Sequence, residues 1–438
     1  MMKGRMLSVM LRALRHRNYR LFFIGQSVSL VGTWMTRLAA TWLLWRLTHS
    51  VEMLGLLGFA GQVPTFVFAP VAGVWVDRLN RHRLLVATQV LAMLQAFTLA
   101  ALVLSGSILV WEIFALQLLL GVINAFDMPS RQSLLIDLIE DRADLPNAVA
   151  LNSSMVNGAR LIGPSIAGLL VAWVGEGWCF FADGLSYLAV IASLLIMRVA
   201  VHPRAAKGKR VFRDLHDGLR HAFGFAPIRA ILLLLALLGL AGIPYRVLMP
   251  VIAARTLHGG PHTLGFLMAA MGGGALIGAL YLASRSTVLG LGRLIPFAAA
   301  VFGVSLVGVG LSRWLPLSLL LMFTMGVGFM IHLAASNTLI QTLVREEMRG
   351  RVMALYLMAF MGMATFGSLL AGAVADVVGA PLTLVGGGLV CLGGAAVFRY
   401  RLPGLREQVR PIYIEKGILP GVAETLREAT VLREEVER

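Results

Sequence analysis

Five ionisable residues, Arg37, Glu112, Arg160, Asp183 and Arg246, fall inside long apolar runs. A charge at the centre of a membrane helix costs roughly 3 kcal/mol or more, so each is a functional-site candidate by default. Counting about 1.5 Å per residue from the run ends places all five at similar depth, in the outer half of a bilayer. Three cations and two acids at one depth can neutralise one another. Burial raises a carboxyl pKa and a nearby guanidinium lowers it, so Glu112 and Asp183 are candidate proton carriers, with Arg37 or Arg160 as the partner released on protonation. A static ion-pair layer closing the outer side accounts for the same residues.

His332 lies in a later run and its ordinary pKa suits a proton relay, although a membrane histidine also serves as a hydrogen-bonded packing residue. Gln26, Asn124, Asn157, Tyr245 and Asn337 are polar enough to hold a substrate in a central cavity, and polar bonds between helices explain them equally. Met353, Met358, Met361 and Met363 could soften a polyspecific cavity or simply fill apolar space. Cys179 and Cys391 sit deep in separate runs and offer neither a disulfide framework nor metal-ligand spacing.

The elements that must carry these residues follow from composition. Hydrophobic residues make up 58% of the 438 and charged residues only 14%, too few ionised groups for a water-facing surface. Apolar runs fall near 20–46, 53–76, 84–105, 108–127, 147–174, 178–198, 230–254, 262–284, 294–312, 315–333, 351–376 and 381–399. Each reads as a transmembrane helix, because lipid offers backbone groups no other partner. The chain is thus expected to be an all-α membrane protein of twelve transmembrane helices. A basic interruption over 199–229 divides the runs six and six. A shift of about 204 residues places Gly158, Gly163, Gly168 and Gly175 on Gly362, Gly367, Gly372 and Gly379. Two pseudo-symmetric six-helix bundles, 20–198 and 230–400, are the expected result, with a site between them.

The net charge of +16 then becomes a statement about topology. Residues 1–19 carry a basic cluster, and the loops after even-numbered spans and the 401–438 tail hold nearly all remaining Lys and Arg. Only Arg46, Arg255 and Arg313 fall on the other side. The positive-inside rule puts both termini in the cytoplasm. Nucleic-acid binding is excluded, since the cations are spread over loops without interleaved aromatics. Val422, Leu426, Ala429, Leu432 and Val436 form a helical stripe in the tail, read as a cytoplasmic amphipathic helix.

Five motifs carry a resemblance. The run Gly73-Val-Trp-Val-Asp77-Arg78-Leu-Asn80-Arg81-His82-Arg83 closes span 2. Gly158, Gly163-Pro164 and Gly168 mark span 5, where proline frees a backbone carbonyl and glycines allow tight packing. Asp127-Met-Pro129-Ser-Arg131 ends span 4, Asn337 with Arg349-Gly-Arg351 follows span 10, and Asp183 with Ser186 lies in span 6. Together these resemble the major facilitator superfamily, and within it the enterobactin-exporter-like branch of multidrug and siderophore efflux proteins, over about residues 10–400. Asn80 stands where that loop signature has a turn glycine, and Gly278 to Arg285 in the second half lacks the aspartate.

The resemblance implies the major facilitator fold and alternating access about a midplane cavity. The reading is a bacterial inner-membrane carrier, expected to be monomeric, that exports amphipathic organic molecules, drug- or siderophore-like, with protons and the bilayer as its other partners. Lipid or lysophospholipid flipping between leaflets is the alternative, and a non-transporting scaffold or sensor the more distant one. No cofactor, metal or enzymatic activity is expected, because no phosphate-binding Gly-rich loop, H-E-x-x-H, nucleophile elbow or Cys/His cluster occurs.

Overall fold

The computed structural model describes residues 11–197, 211–285 and 287–419. Twelve long helices run back and forth: α1 (Arg17–Thr48), α2 (Val51–Arg78), α3 (Arg81–Leu104), α4 (Val110–Asp137), α5 (Leu145–Val174) and α6 (Glu176–Ile196) form the first half. A linker helix, Val211–Gly224, precedes the second half. There α7 (Ala226–Thr256), α8 (Pro261–Ala283), α9 (Leu291–Leu311), α10 (Leu315–Leu343), α11 (Glu346–Val378) and α12 (Ala380–Glu415) follow. Eleven of the twelve contain an apolar stretch long enough to cross a bilayer. The exception, α1, is 32 residues long but diluted by Gln26, Ser27, Ser29, Thr33 and Arg37. A helix that lines a polar interior loses hydropathy in this way.

The halves repeat one packing scheme. In the first, α1 packs on α5 and α6, α3 on α4 and α6, and α2 on α4; in the second, α7 packs on α11 and α12, α9 on α10 and α12, and α8 on α10. The α5–α6 and α11–α12 hairpins turn on Gly175 and Gly379, at φ 92° and 87°, values that only glycine adopts without strain. Between halves, α5 lies against α8 and α2 against α11. Both seams are sealed by paired glycines. A Cβ on Gly55 would meet Gly372 Cα at 2.7 Å, and one on Gly168 would meet Gly265 Cα at 2.8 Å. All four glycines lie near the helix ends on the face opposite the termini. There Arg255 of α7 also reaches across, its Nη2 donating to the His49 carbonyl at 3.4 Å and its guanidinium stacking on Trp45 at 4.8 Å.

Two helices differ from their expected limits. Helix α7 starts before residue 230 and contains π-helical turns at Leu238–Gly242 and Ile252–Thr256 around Pro244. Helix α12 does not stop at 400 but continues to Glu415 through Pro403 and Pro411, both on its solvent-side extension. Lys416 then ties its end back to α10 by donating to the Thr342 carbonyl at 2.6 Å. The stripe from Val422 to Val436 lies outside the described residues.

Candidate functional site

Four of the five buried-charge candidates come together where the halves meet; Glu112 does not. Helix α4 begins at Val110, so Glu112 sits in its first turn and accepts from the Leu109 N–H at 2.8 Å. That satisfies an orphan donor at a helix start. The expectation that Glu112 balances the arginines at depth is therefore corrected: its carboxylate is occupied as a cap near the membrane boundary.

The remaining four build a compact cluster. Arg37 and Trp34 are one turn apart on α1, and the Arg37 guanidinium stands 4.8 Å from the Trp34 ring centre. Arg160, from α5, stands 5.1 Å from the same ring. Arg246, from α7 in the other half, lies 5.9 Å from the Tyr245 ring, with Nε donating to Tyr245 Oη at 3.4 Å. Arg246 is within electrostatic reach of both Arg37 and Arg160. Asp183, from α6, is buried; it accepts from the Ser186 hydroxyl at 3.3 Å and is within reach of Arg37. Gly32 allows α6 this close, since a Cβ there would stand 2.6 Å from Asp183 Oδ1. Gly163 does the same for α5, where a Cβ would meet Trp34 Cβ at 2.6 Å.

Although helices surround it, the Arg37 side chain is solvent-exposed, and Arg160 and Arg246 are half-exposed. They face an internal space. The glycine seams close the face opposite the termini, and contacts persist down to Arg160, whose carbonyl would meet a Cβ on Gly272 at 2.9 Å. Gly158, two residues further, has nothing within 4 Å. The close packing of the α5–α8 seam thus does not extend to Gly158, on the terminus side of Arg160.

The other candidates are dispersed. Asp127 accepts from Thr88 at 3.0 Å, from Gln89 at 2.5 Å and from Arg131, tying α4 to α3 inside the first half. Pro129 is accommodated within α4. His332 is buried against α9, its Nδ1 3.3 Å from the Ile295 carbonyl, away from the cluster. Asn157 donates within its own helix to the Ser153 carbonyl, Asn337 accepts from Gln341 at 2.5 Å, and Gln26 is buried with Oε1 unpartnered. Asn124 is half-buried on α4.

At the terminus face Arg81 is buried and donates to Asp137 at 3.2 Å, and Asn80 caps α3 by accepting from the Arg83 N–H at 3.1 Å. The side-chain surroundings of Gly73, Asp77 and Arg78 lie outside the described residues. Arg351 donates to Asp217 of the linker helix at 3.4 Å, while Arg349 stands 3.7 Å from Glu346. Arg12 and His16 both bind Asp144 at the start of α5, with His16 Nε2 at 3.0 Å.

Sequence reasoning missed Trp34, although its place three residues before Arg37 on one helical face was a usable signal. It also missed Glu176, which receives Arg46 in a bidentate pair at 2.8 and 3.1 Å.

A family model described as transmembrane secretion effector matches residues 8–418. The staphyloferrin A transporter of Staphylococcus aureus is 26% identical over 85% of this chain and 93% of its own length. The multidrug efflux pump Tap of Mycolicibacterium fortuitum is 27% identical over 86% and 93%. Macrolide efflux protein A of Streptococcus pyogenes is 24% identical over 78% and 86%. Among solved structures, a bacterial homologue of the human lysosomal transporter Spinster superposes with a TM-score of 0.69 at 12% identity, covering 90% of this chain and 98% of that one. A peptide-bound transporter of the POT family gives 0.71 at 11% identity, covering 89% and 96%.

Proposed function

The chain belongs to the transmembrane secretion effector family of major facilitator carriers, a secondary transporter of small organic molecules and not an enzyme, and from that premise we propose that it exports amphipathic organic molecules in exchange for protons. The observation that carries this reading is the position of Asp183. It is a buried carboxyl, within electrostatic reach of Arg37, beside a space lined by both halves. A carboxylate that alternates between a guanidinium and a proton as the halves rock is the element that proton exchange requires. Relatives named for siderophore, multidrug and macrolide transport support export of large organic solutes.

The positive-inside rule makes the terminus face cytoplasmic, in a bacterial inner membrane. The close packing of the α5–α8 seam then ends on the cytoplasmic side of Arg160, where an exporter loads. Orientation is checked by introducing cysteine at Ser107 and, separately, at Glu140. Only the first should be labelled by an impermeant maleimide from outside intact cells, and the native Cys179 and Cys391 are buried and silent.

The direct test is transport of a fluorescent amphipath by proteoliposomes under an imposed pH gradient. Uphill movement that stops when the gradient is collapsed is the expected result. Lipid flipping that ignores the gradient, with no solute movement, would replace this reading with leaflet-to-leaflet transport.

A further inference from the structure

Three arginines of the helical bundle are paired with carboxylates, and three are not. Arg81 meets Asp137, Arg131 meets Asp127, and Arg46 meets Glu176. Arg37, Arg160 and Arg246 meet no carboxylate within 4 Å among the described residues, and the Nε of Arg160 is buried without a hydrogen-bond partner in the protein. Asp183 is the one carboxyl among the described residues that acts on Arg37, so Arg37, Arg160 and Arg246 stand against a single carboxylate. Glu112, the second acid expected there, is used as a helix cap.

The arrangement also follows the symmetry of the fold. Gly163 packs α5 against Val31 and Met35, and Gly367 packs α11 against Leu240 and Pro244. The shift that carries Val31 onto Leu240 and Met35 onto Pro244 carries Arg37 onto Arg246. One arginine from each half therefore holds the same repeat position, and Arg160 joins them at the seam, where its carbonyl lies against Gly272 of α8. Uncompensated guanidiniums in an apolar bundle are costly unless a ligand completes them. Guanidinium presents a planar fork matched to carboxylate and phosphate. The buried Trp34 ring lies against two of them and supports both guanidiniums.

We propose that Arg37, Arg160 and Arg246 form a binding site for an organic anion, so that the transported amphipath carries a carboxylate or phosphate. Both halves hold the anion, the buried Trp34 ring positions the Arg37 and Arg160 guanidiniums, and Asp183 competes with the anion for Arg37. The proposal rests on the carrier reading above and narrows its substrate class.

The test uses the full chain in phosphatidylcholine nanodiscs and two dyes of one xanthene skeleton, anionic carboxyfluorescein and cationic rhodamine 6G. Fluorescence polarisation should show carboxyfluorescein binding tighter by about tenfold or more. Arg160→Gln and Arg246→Gln should each weaken it about tenfold, Arg160→Lys should recover part of the loss, and rhodamine 6G binding should not fall. Monodisperse elution of each variant shows that it is folded. Equal or tighter binding of rhodamine 6G, absence of carboxyfluorescein binding, or arginine variants with unchanged affinity would overturn the proposal. Adding phosphatidylglycerol separates the sources of the anion: displacement of carboxyfluorescein by it identifies a lipid headgroup as an occupant of the same site. Liposome flux separates the two claims. Both dyes moving without charge preference removes the anion site and leaves the carrier; anion binding in a chain that moves neither dye keeps the site and removes the carrier.

Discussion

The two halves of this molecule share a scaffold and differ in chemistry. Gly168 and Gly372 occupy the same repeat position and do the same work, each closing a seam against a glycine of the other half. Gly175 and Gly379 turn the corresponding hairpins with nearly the same φ. Yet the shift that matches these glycines places Arg160 on Ala364 and Asp183 on Gly387, and nearly the same shift places Asp127 on His332. In the second half the space is filled: Ala364 is buried, and a Cβ on Gly387 would collide with the Ala241 carbonyl. Symmetry is thus kept at the glycine seams and hairpins and abandoned at Arg160 and Asp183. Arg37 and Arg246 are the pair retained on both sides, in keeping with the proposed ligand site, whereas Asp183, the proposed coupling group, stands in one half only.

The largest expected effect comes from breaking the shared part. Gly372→Leu places a branched side chain where even a Cβ would stand 2.8 Å from Gly55 Cα, so the halves cannot close on that face. Transport should fall by about a hundredfold or more with the protein still folded, and crosslinking between cysteines placed at Glu52 and Asp376 should be lost. Gly168→Leu should behave alike if the seams are equivalent; a mild phenotype would show that one seam bears the closure.

Next comes the unshared part. Arg37→Gln and Arg246→Gln should weaken substrate binding to similar extents, roughly tenfold, because the two positions are related by the repeat. Measuring both by equilibrium binding sharpens the comparison, since a difference above severalfold would mean that the halves share position but not role.

A smaller effect concerns the terminal latch of the first half, whose counterpart in the second is the Asp217–Arg351 pair with the charges exchanged. The His16 ring, with Arg12, holds the Asp144 carboxyl below its ordinary range. A lowered folded-state pKa stabilises the latch at pH above the unfolded value of about 4, and that contribution disappears as pH falls through the folded value. Hydrogen exchange of residues 11–20 should therefore be faster in Asp144→Asn than in the parent at pH 7, and the two should converge in acid. The smallest effect is Gly158→Ala, which meets nothing within 4 Å and should leave transport and thermal stability unchanged. Measurable loss of activity there would show that the glycine's role is bending and not space.

Much of this was legible in the sequence, for reasons that can be named. Apolar run length gives the spans, because backbone groups in lipid must be satisfied within the helix. The glycine repeat gives the halves, since close helix approach leaves no alternative residue. Depth along each run groups Arg37, Arg160, Asp183 and Arg246, and the packed bundle brings these four near one another. What failed was local. Glu112 lies three residues after Leu109, a capping spacing, but counting depth from an apolar run starting at 108 placed it inside. The end of α12 was misplaced because two prolines and many charges usually stop a helix, whereas here they lie beyond the spanning part. Nothing along the chain pairs Gly55 with Gly372 or puts two guanidiniums on Trp34. Those contacts join segments far apart in sequence, and only the packed bundle reveals them.

The most direct measurement compares Asp183→Asn with Glu112→Gln in proteoliposomes, reading both gradient-driven uphill transport and downhill exchange of one substrate. Asp183→Asn should abolish uphill transport while retaining downhill exchange, and Glu112→Gln should leave both intact. Uphill transport that survives in Asp183→Asn, or that is lost in Glu112→Gln, would contradict the assignment of coupling to the buried carboxyl of the first half.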